Sequence, residues 1–85
     1  MSCRIELETR ARREFLDLSD EMAGRISDAI EDLQVQPRPP GAKRLSGREG
    51  YRVRKGDWRI LYTVDDKARL VRIYRIGHRK EVYRR

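Results

Sequence analysis

Hydrophobic and polar residues first alternate along the chain and then take up helical spacing. Cys3, Ile5 and Leu7 alternate with charged residues, which predicts a half-buried strand. Thr9 and Ser19 each precede an apolar stripe with a spacing of three or four, so we expect them to cap two helices. The residues that we expect on the buried sides of these helices are Ala11, Phe15 and Leu18 in the first and Met22, Ile26, Ala29, Ile30 and Leu33 in the second.

The second half of the chain returns to alternation. The second helix must end before Pro37, and residues 36–50 are expected to be irregular because they contain three prolines and three glycines. Strands are then predicted around residues 51–54, 58–64 and 69–76, with turns between them. The pattern predicts a single α+β domain over residues 1–85. Its elements are an N-terminal strand, an antiparallel helix hairpin and an antiparallel meander of about three strands.

Charge is distributed unevenly along this pattern. The 85 residues carry 21 Lys+Arg and 14 Asp+Glu, a net charge of +7. Residues 1–36 hold five basic and nine acidic side chains, whereas residues 37–85 hold sixteen basic and five acidic ones. This asymmetry indicates a polyanionic partner on one side of the molecule, the alternative being a solvated basic face without a ligand.

Several classes of protein are disfavoured by the same sequence. No apolar run is long enough for a membrane helix, and the N-terminus lacks the apolar core of a signal peptide, so we expect a cytoplasmic protein. Cys3 is the single cysteine, which excludes an intramolecular disulfide. Because His78 is the single histidine, we do not expect a zinc site formed by the protein alone. The sequence also lacks a Gly-rich phosphate loop of the nucleotide-binding kind, and we expect no cofactor.

The basic residues follow strand spacing. Arg52 and Arg54 share one face of their strand, and Arg59 lies across the next turn. If the helices cover the other face, these three guanidiniums converge on the open one, and Arg79 can reach the same groove after Gly77. Guanidiniums suit bidentate contacts to phosphate, so the spacing predicts a phosphate-binding groove. The alternatives at this point are ion pairs with the few nearby acids and plain RNA binding.

Three stretches together resemble the RelE side of the RelE/ParE toxin superfamily: residues 43–47, 50–62 and 76–83. The resemblance implies the toxin of a bacterial or archaeal toxin–antitoxin pair. It further implies an enzyme that enters the ribosomal A site and cuts the mRNA codon there without a metal. The ribose 2′-hydroxyl would attack the adjacent phosphate, and the 5′-oxygen would leave. The implied partners are the ribosome, mRNA and a cognate antitoxin in a hetero-oligomer.

The resemblance also implies roles for individual residues. Arg52 and Arg54 occupy the positions of two basic residues that are lysines in the best-known members. Arg59 matches an arginine that holds the scissile phosphate, and Arg79 matches one linked to phosphate binding and leaving-group protonation. Tyr83 matches a C-terminal tyrosine that stacks on or orients the nucleotide.

The change from lysine to arginine affects the proposed chemistry. Arginine stays protonated, so Arg52 and Arg54 can stabilise charge but are poor general bases. Tyr83 and His78 are the candidate substitutes. Further RNA contacts are expected from the remaining basic residues of these stretches and the tail, namely Lys43, Arg44, Lys55, Lys80, Arg84 and Arg85.

Two rival functions remain at the level of the sequence. A ParE-like inhibitor of DNA gyrase has the same fold but does not cut RNA, and such members usually lack the late arginine and tyrosine that Arg79 and Tyr83 supply here. The other rival is a noncatalytic RNA-binding module, which would need only the basic face.

Overall fold

A computed structural model describes residues 2–78 of the chain. Within that range the fold is α+β, as predicted. The elements, in chain order, are β1 (Arg4–Leu7), α1 (Thr9–Leu16), α2 (Asp20–Val35), β2 (Lys43–Arg44), β3 (Tyr51–Lys55), β4 (Trp58–Asp65) and β5 (Leu70–His78).

The strands form one mixed sheet in the order β1-β5-β4-β3-β2. The predicted antiparallel meander of β3, β4 and β5 is confirmed. Two features were not predicted: β1 runs parallel to β5, and β2 adds a short edge strand to β3. Alternation of side chains does not specify which strand β1 joins, and β2 is only two charged residues long. Neither feature therefore leaves a hydrophobic pattern in the sequence.

The helix starts differ in how well the sequence predicted them. The Ser19 cap is confirmed, because its hydroxyl oxygen accepts a hydrogen bond from the Met22 amide at 3.2 Å. The Thr9 cap is wrong: α1 begins at Thr9, and Glu8 occupies the cap position without a side-chain hydrogen bond. The Glu8 amide instead donates to the Ile73 carbonyl oxygen at 2.9 Å. This bond to β5 fixes the point at which the chain turns into the helix.

The core lies between the two helices and one face of the sheet. Ala11 and Ile26 are fully buried, and Ala29 and Leu33 nearly so. The predicted residues Phe15, Leu18, Met22 and Ile30 pack at its margin. The strand residues that complete the core are Val53, Ile60, Tyr62, Val71, Ile73 and Ile76.

Candidate nucleic-acid interface

The register of the sheet places four basic residues on the face that points away from the core. Arg54 lies opposite Arg59, and Lys43 lies opposite Arg52. Directly opposed residues point to the same side of a sheet, and successive residues of a strand alternate between sides. Because Val53 belongs to the core, its neighbours Arg52 and Arg54 point to the other face, together with Arg59 and Lys43.

Both cross-strand pairs bring like charges together, which weakens a sheet when the charges are not compensated. Within residues 2–78 no ion pair is formed by Lys43, Arg52, Arg54 or Arg59. Of the described acids that follow residue 36, Asp65 accepts a hydrogen bond from the Ala68 amide and Asp66 pairs with Arg38, whereas Glu49 and Asp57 form no ion pair within residues 2–78. Local ion pairing, the alternative interpretation from the sequence, therefore does not account for these four basic residues within residues 2–78.

Arg59 is held by backbone carbonyls. Its Nη1 donates to the carbonyl oxygens of Gly56 and Trp58, each at 3.2 Å. Arg59 lies on the predicted face of the sheet, but the expectation that its side chain is open to solvent is wrong, because the residue is only 8% exposed. The two-residue β3–β4 loop, with Gly56 at φ +60°, turns these carbonyls toward the guanidinium. Neutral acceptors orient the group and leave its positive charge in place.

Arg75 was not singled out from the sequence, yet it lies in the same row as Arg52. Both residues are opposite Leu61, which is fully buried although it lies outside the core cluster. The Arg75 Nε donates to Glu14 Oε2 at 3.1 Å, and Glu14 Oε1 accepts the Ile76 amide at 2.8 Å. A bulge between Leu61 and Tyr62 shifts the register, so the face that Arg75 occupies does not follow from simple alternation.

His78 lies on the opposite face from the arginines. It is directly across from Trp58, and the two rings meet edge to face with centroids 6.0 Å apart. Trp58 packs against the core, so His78 shares the core side of the sheet. The remaining candidates lie outside the described residues: Arg79, Lys80, Tyr83, Arg84 and Arg85.

Two cavities flank β3. One, of about 420 Å³, lies between α2 and β3 and has an apolar floor that includes Ala29, Leu33 and Val53. The predicted site residues in its lining are Lys43, Arg52, Arg54 and Lys55. The other, of about 440 Å³, lies in the β2–β3 hairpin. Its lining contains two predicted RNA contacts, Lys43 and Arg44, and the full set is Lys43, Arg44, Leu45, Ser46, Arg48 and Arg52.

A third polar cluster anchors the proline-rich loop. The two terminal nitrogens of Arg38 donate to the carboxylate of Asp66 at 3.0 and 2.9 Å, and its Nε donates to the Tyr51 hydroxyl at 2.9 Å. The bond from Arg38 lowers the pKa of the Asp66 carboxyl. Tyr62 stacks on Tyr51 and donates to the Pro37 carbonyl oxygen at 2.8 Å, and burial raises the pKa of Tyr62 to about 12.

Across residues 2–78, no three side chains of the His, Cys, Asp and Glu types group together in a way that could hold a metal ion. Neither α1 nor α2, the helices of this range, has the length and apolar character needed to cross a membrane.

Comparisons with known proteins identify the fold and the family. Residues 5–83 match the family described as ParE toxin of type II toxin-antitoxin system, parDE. The toxin RelG of Mycobacterium tuberculosis is 33% identical over 85 residues, covering 95% of each protein. The crystal structure of the RelBE2 toxin–antitoxin complex from the same organism superposes with a TM-score of 0.81 at 29% identity, covering 93% of this chain and 100% of that one.

The isolated RelE toxin of E. coli also has the same fold, with a TM-score of 0.81 at 21% identity, over 96% of this chain and 92% of that one. These matches confirm the resemblance seen in the three sequence stretches. The chain therefore belongs to the ParE toxin family of type II toxin–antitoxin systems, within the RelE/ParE superfamily.

Proposed function

We propose that this toxin is a ribosome-dependent endoribonuclease of the cytoplasm that cuts mRNA at the A-site codon and so inhibits translation. The observation that carries this proposal is the cluster of Arg52, Arg54 and Arg59 on one sheet face, where none has a carboxylate partner among residues 2–78. An RNA phosphate in this cluster would offset the repulsion between the opposed arginines.

The proposed reaction is attack of the ribose 2′-hydroxyl oxygen on the adjacent phosphorus. The 2′-hydroxyl gives up its proton to a general base, a new O–P bond forms, the bond to the 5′-oxygen breaks, and that oxygen takes up a proton from a general acid. Negative charge grows on the phosphate in the transition state, and oriented cations stabilise it most effectively when they need no reorganisation. Arg59 fits this requirement because two carbonyl oxygens already hold its guanidinium.

The proton transfers fall to other residues. Arg52 and Arg54 remain protonated at physiological pH, so their part is electrostatic. We assign leaving-group protonation to Arg79, and we assign nucleotide stacking or a proton relay through its hydroxyl to Tyr83. His78 is the less favoured base, since it contacts Trp58 on the opposite face from Arg59. Supporting contacts to RNA are assigned to the other basic residues, Lys43, Arg44, Lys55, Lys80, Arg84 and Arg85.

The proposal requires neither a metal nor a cofactor, and the ribosome supplies the alignment of the substrate. Alignment alone lowers a barrier by several kcal/mol, on the order of the 7–11 kcal/mol found for well-oriented reactions. The test is to incubate the purified toxin with an mRNA, either on programmed ribosomes or free, and to map the products by primer extension. We expect cuts only on the ribosome. Equal rates on free mRNA would contradict ribosome dependence, and no cuts in either sample would contradict the nuclease.

Two variants of Tyr83 separate stacking from proton transfer. A base stacked on an aromatic ring contributes roughly 1–3 kcal/mol. If stacking dominates, Tyr83→Phe keeps its cleavage rate and Tyr83→Ala loses it. If the hydroxyl is the base, both variants are slow while His78→Ala stays active. Wild-type rates for both Tyr83 variants would exclude this residue from the reaction.

We further propose that a cognate antitoxin neutralises this protein in a toxin–antitoxin hetero-oligomer. Support comes from the RelBE2 relative, whose crystal structure is that of a toxin–antitoxin complex. An acidic or amphipathic antitoxin segment would complement the basic surface of the toxin. Co-expression with the protein encoded by the neighbouring gene should restore growth, and it should yield a complex on size-exclusion chromatography.

A second candidate function is inhibition of DNA gyrase, which the match to the ParE toxin family favours. The two functions differ in what they damage. Gyrase poisoning produces DNA breaks and an SOS response with intact mRNA, whereas the nuclease produces cuts in phase with codons. A noncatalytic RNA-binding module would bind programmed ribosomes and yield neither result.

A further inference from the structure

The cavity in the β2–β3 hairpin is lined by four cations. We refer to it as the cationic cup, and its lining is Lys43, Arg44, Leu45, Ser46, Arg48 and Arg52. Its volume is about 440 Å³, and no carboxylate of residues 2–78 lines it. Lys43 and Arg52 are directly opposed in the ladder between β2 and β3, so like charges meet at the edge of the cup.

The backbone of the hairpin gives the cup its shape. The Leu45 amide donates to the Gly50 carbonyl oxygen at 3.0 Å and closes the loop between the strands. Gly50 has a φ of +112°, and a Cβ at this position would collide with the backbone carbonyl oxygen of Tyr62. Because these backbone contacts hold the loop, the charged heads of Arg44 and Arg48 are not needed to close it.

The cations of the cup differ from the paired arginines elsewhere in residues 2–78. Arg38, Arg72 and Arg75 each form an ion pair with a carboxylate. None of the four cup cations forms one within the same range. Glu49, the nearest acid in the sequence, lines the neighbouring cavity together with Arg38 and Arg44, but it forms no ion pair with either of them within residues 2–78. The charge of the cup is thus not compensated by this part of the chain.

We propose that the cationic cup binds a phosphodiester group of an RNA backbone, at a subsite separate from the phosphate that reacts. This inference rests on the proposed function in taking RNA as the partner. Guanidinium forks and the Ser46 hydroxyl provide the donors that phosphate oxygens accept. Among the described residues, Leu45 is the one apolar side chain in the lining, in contrast to the apolar floor of the groove beside α2. The cup therefore suits a phosphodiester better than an acidic peptide.

The position of the cup relates it to the proposed reaction. Arg52 lines the cup and lies two residues from Arg54, on the same face of β3. A single RNA can therefore contact both the cup and the Arg54–Arg59 pair. A subsite that holds RNA equally in the ground and transition states lowers KM and leaves kcat unchanged, which distinguishes the cup from Arg59.

The decisive experiment measures binding to RNA that cannot be cleaved. The first probe is a fluorescein-labelled single-stranded RNA of ten nucleotides with 2′-O-methyl groups throughout. The second is a programmed ribosome whose A-site codon carries the same modification. Dissociation constants are measured between 50 and 300 mM KCl for the wild type, Arg44→Glu/Arg48→Glu and the matched double variant Arg69→Glu/Lys67→Glu. Both doubles alter exposed positions and change the net charge by the same amount.

The expected result is at least a tenfold weaker affinity for the cup variant than for the control, with a shallower dependence on salt. On a single strand, the slope should fall by about 0.7 for each phosphate that the variant no longer neutralises. Weaker binding of the free oligonucleotide assigns the phosphodiester to mRNA, and weaker binding on ribosomes alone assigns it to ribosomal RNA. Either outcome supports the cup.

Several outcomes would overturn the proposal. The cup is excluded if both doubles bind both probes equally, or if the wild type binds neither. If the cup variant binds RNA normally but is no longer neutralised by a co-expressed antitoxin, the cup is a protein-docking site instead. A cleavage assay with unmodified mRNA adds a further check, since a fall in kcat at unchanged KM would assign the cup to the reacting phosphate. Because the binding probes are uncleavable, an inactive wild type would contradict the nuclease without affecting the binding result.

Discussion

Arginines on one face of the same sheet fall into two groups with different surroundings. Where β1 and α1 meet β5, Arg72 pairs with Glu6 at 3.2 Å and Arg75 pairs with Glu14 at 3.1 Å. Around the β2–β3 hairpin and the β3–β4 turn, no ion pair within residues 2–78 is formed by Arg52, Arg54 or Arg59. Arg72 and Arg75 are therefore compensated within the fold, whereas the charge of the arginines near the hairpin is available to a ligand.

The same comparison explains the uneven charge of the sequence. Glu6 and Glu14 come from the acidic first 36 residues, and their partners Arg72 and Arg75 come from the basic remainder. Folding brings these opposite charges together at one side of the sheet. Lys43, Arg44, Arg48 and Arg52 at the hairpin take no part in such pairs within residues 2–78, and the proposed RNA site lies there.

The largest expected effect on stability is at Glu14. Glu14→Ala removes the carboxylate that pairs with Arg75, whose side chain is 9% exposed, and it also removes the acceptor of the Ile76 amide. Removing one member of a buried pair reduces stability by roughly 3–5 kcal/mol. Because Glu14 is partly exposed, we expect a loss at the lower end of this range, about 3 kcal/mol. Urea denaturation measures the change. The control is Glu21→Ala, which breaks the exposed pair with Arg25 and should change stability by about 0.5 kcal/mol. Equal effects of the two variants would show that the buried Arg75–Glu14 pair matters no more to stability than the exposed Arg25–Glu21 pair.

The hairpin that carries the unpaired cations depends on Gly50. Gly50→Ala combines a positive φ with a collision against the Tyr62 carbonyl oxygen, so we expect a loss of about 1–3 kcal/mol or more. Gly24→Ala is the matched control, because it lies in α2 with open space around it and should increase stability by about 0.5–1 kcal/mol. Thermal unfolding of both variants gives the comparison. A Gly50→Ala protein as stable as the wild type would show that the hairpin is not held as described.

Neutralising Arg54, which has no ion pair within residues 2–78, should increase the stability of the fold, whereas removing Glu14 should reduce it. Arg54→Gln relieves the repulsion with Arg59 directly across the ladder. Such cross-strand pairs are worth roughly 0.2–1 kcal/mol, so we expect stability to rise by about that amount while cleavage falls. Parallel unfolding and cleavage assays test both parts. A loss of stability would show that Arg54 has a structural partner.

A smaller effect concerns pH and the Arg38–Asp66 pair. Arg38 lowers the pKa of the Asp66 carboxyl, so the folded protein releases this proton more readily than the unfolded chain does. The resulting stability is present above the ordinary pKa of about 3.9 and is lost as the pH falls through the lowered value. Urea midpoints of the wild type and Asp66→Asn should therefore converge below about pH 4. A constant difference between them from pH 7 to pH 2 would contradict this linkage.

Strand periodicity predicted how the residues of the basic sheet face are arranged. The alternation at Arg52, Val53 and Arg54 was enough to separate the basic face from the core, and the Gly56 turn placed Arg59 across from Arg54. The helical stripes and the Ser19 cap likewise followed from local spacing. These features depend on residues close together in the chain, which is why the sequence reveals them.

Features that depend on distant or backbone contacts were missed. Nothing local marks Arg75 as a partner of Glu14, because the two residues are 61 positions apart and a bulge shifts the face. The burial of Arg59 arises from the direction of two carbonyl groups, which have no sequence signature. Thr9 was a reasonable cap by composition, but the bond from Glu8 to β5 determined where the helix starts.

The most direct test of the central claim compares Arg59 with a paired arginine of the same sheet face. Single-turnover cleavage of mRNA on programmed ribosomes is measured for Arg59→Ala and Arg72→Ala, with unfolding curves to confirm that both fold. Loss of the clamp on the reacting phosphate should slow Arg59→Ala by about 2–4 kcal/mol, or roughly 30- to 1,000-fold. Arg72→Ala should cleave at close to the wild-type rate. Equal rates for both folded variants would contradict the assignment of the unpaired arginines to RNA cleavage.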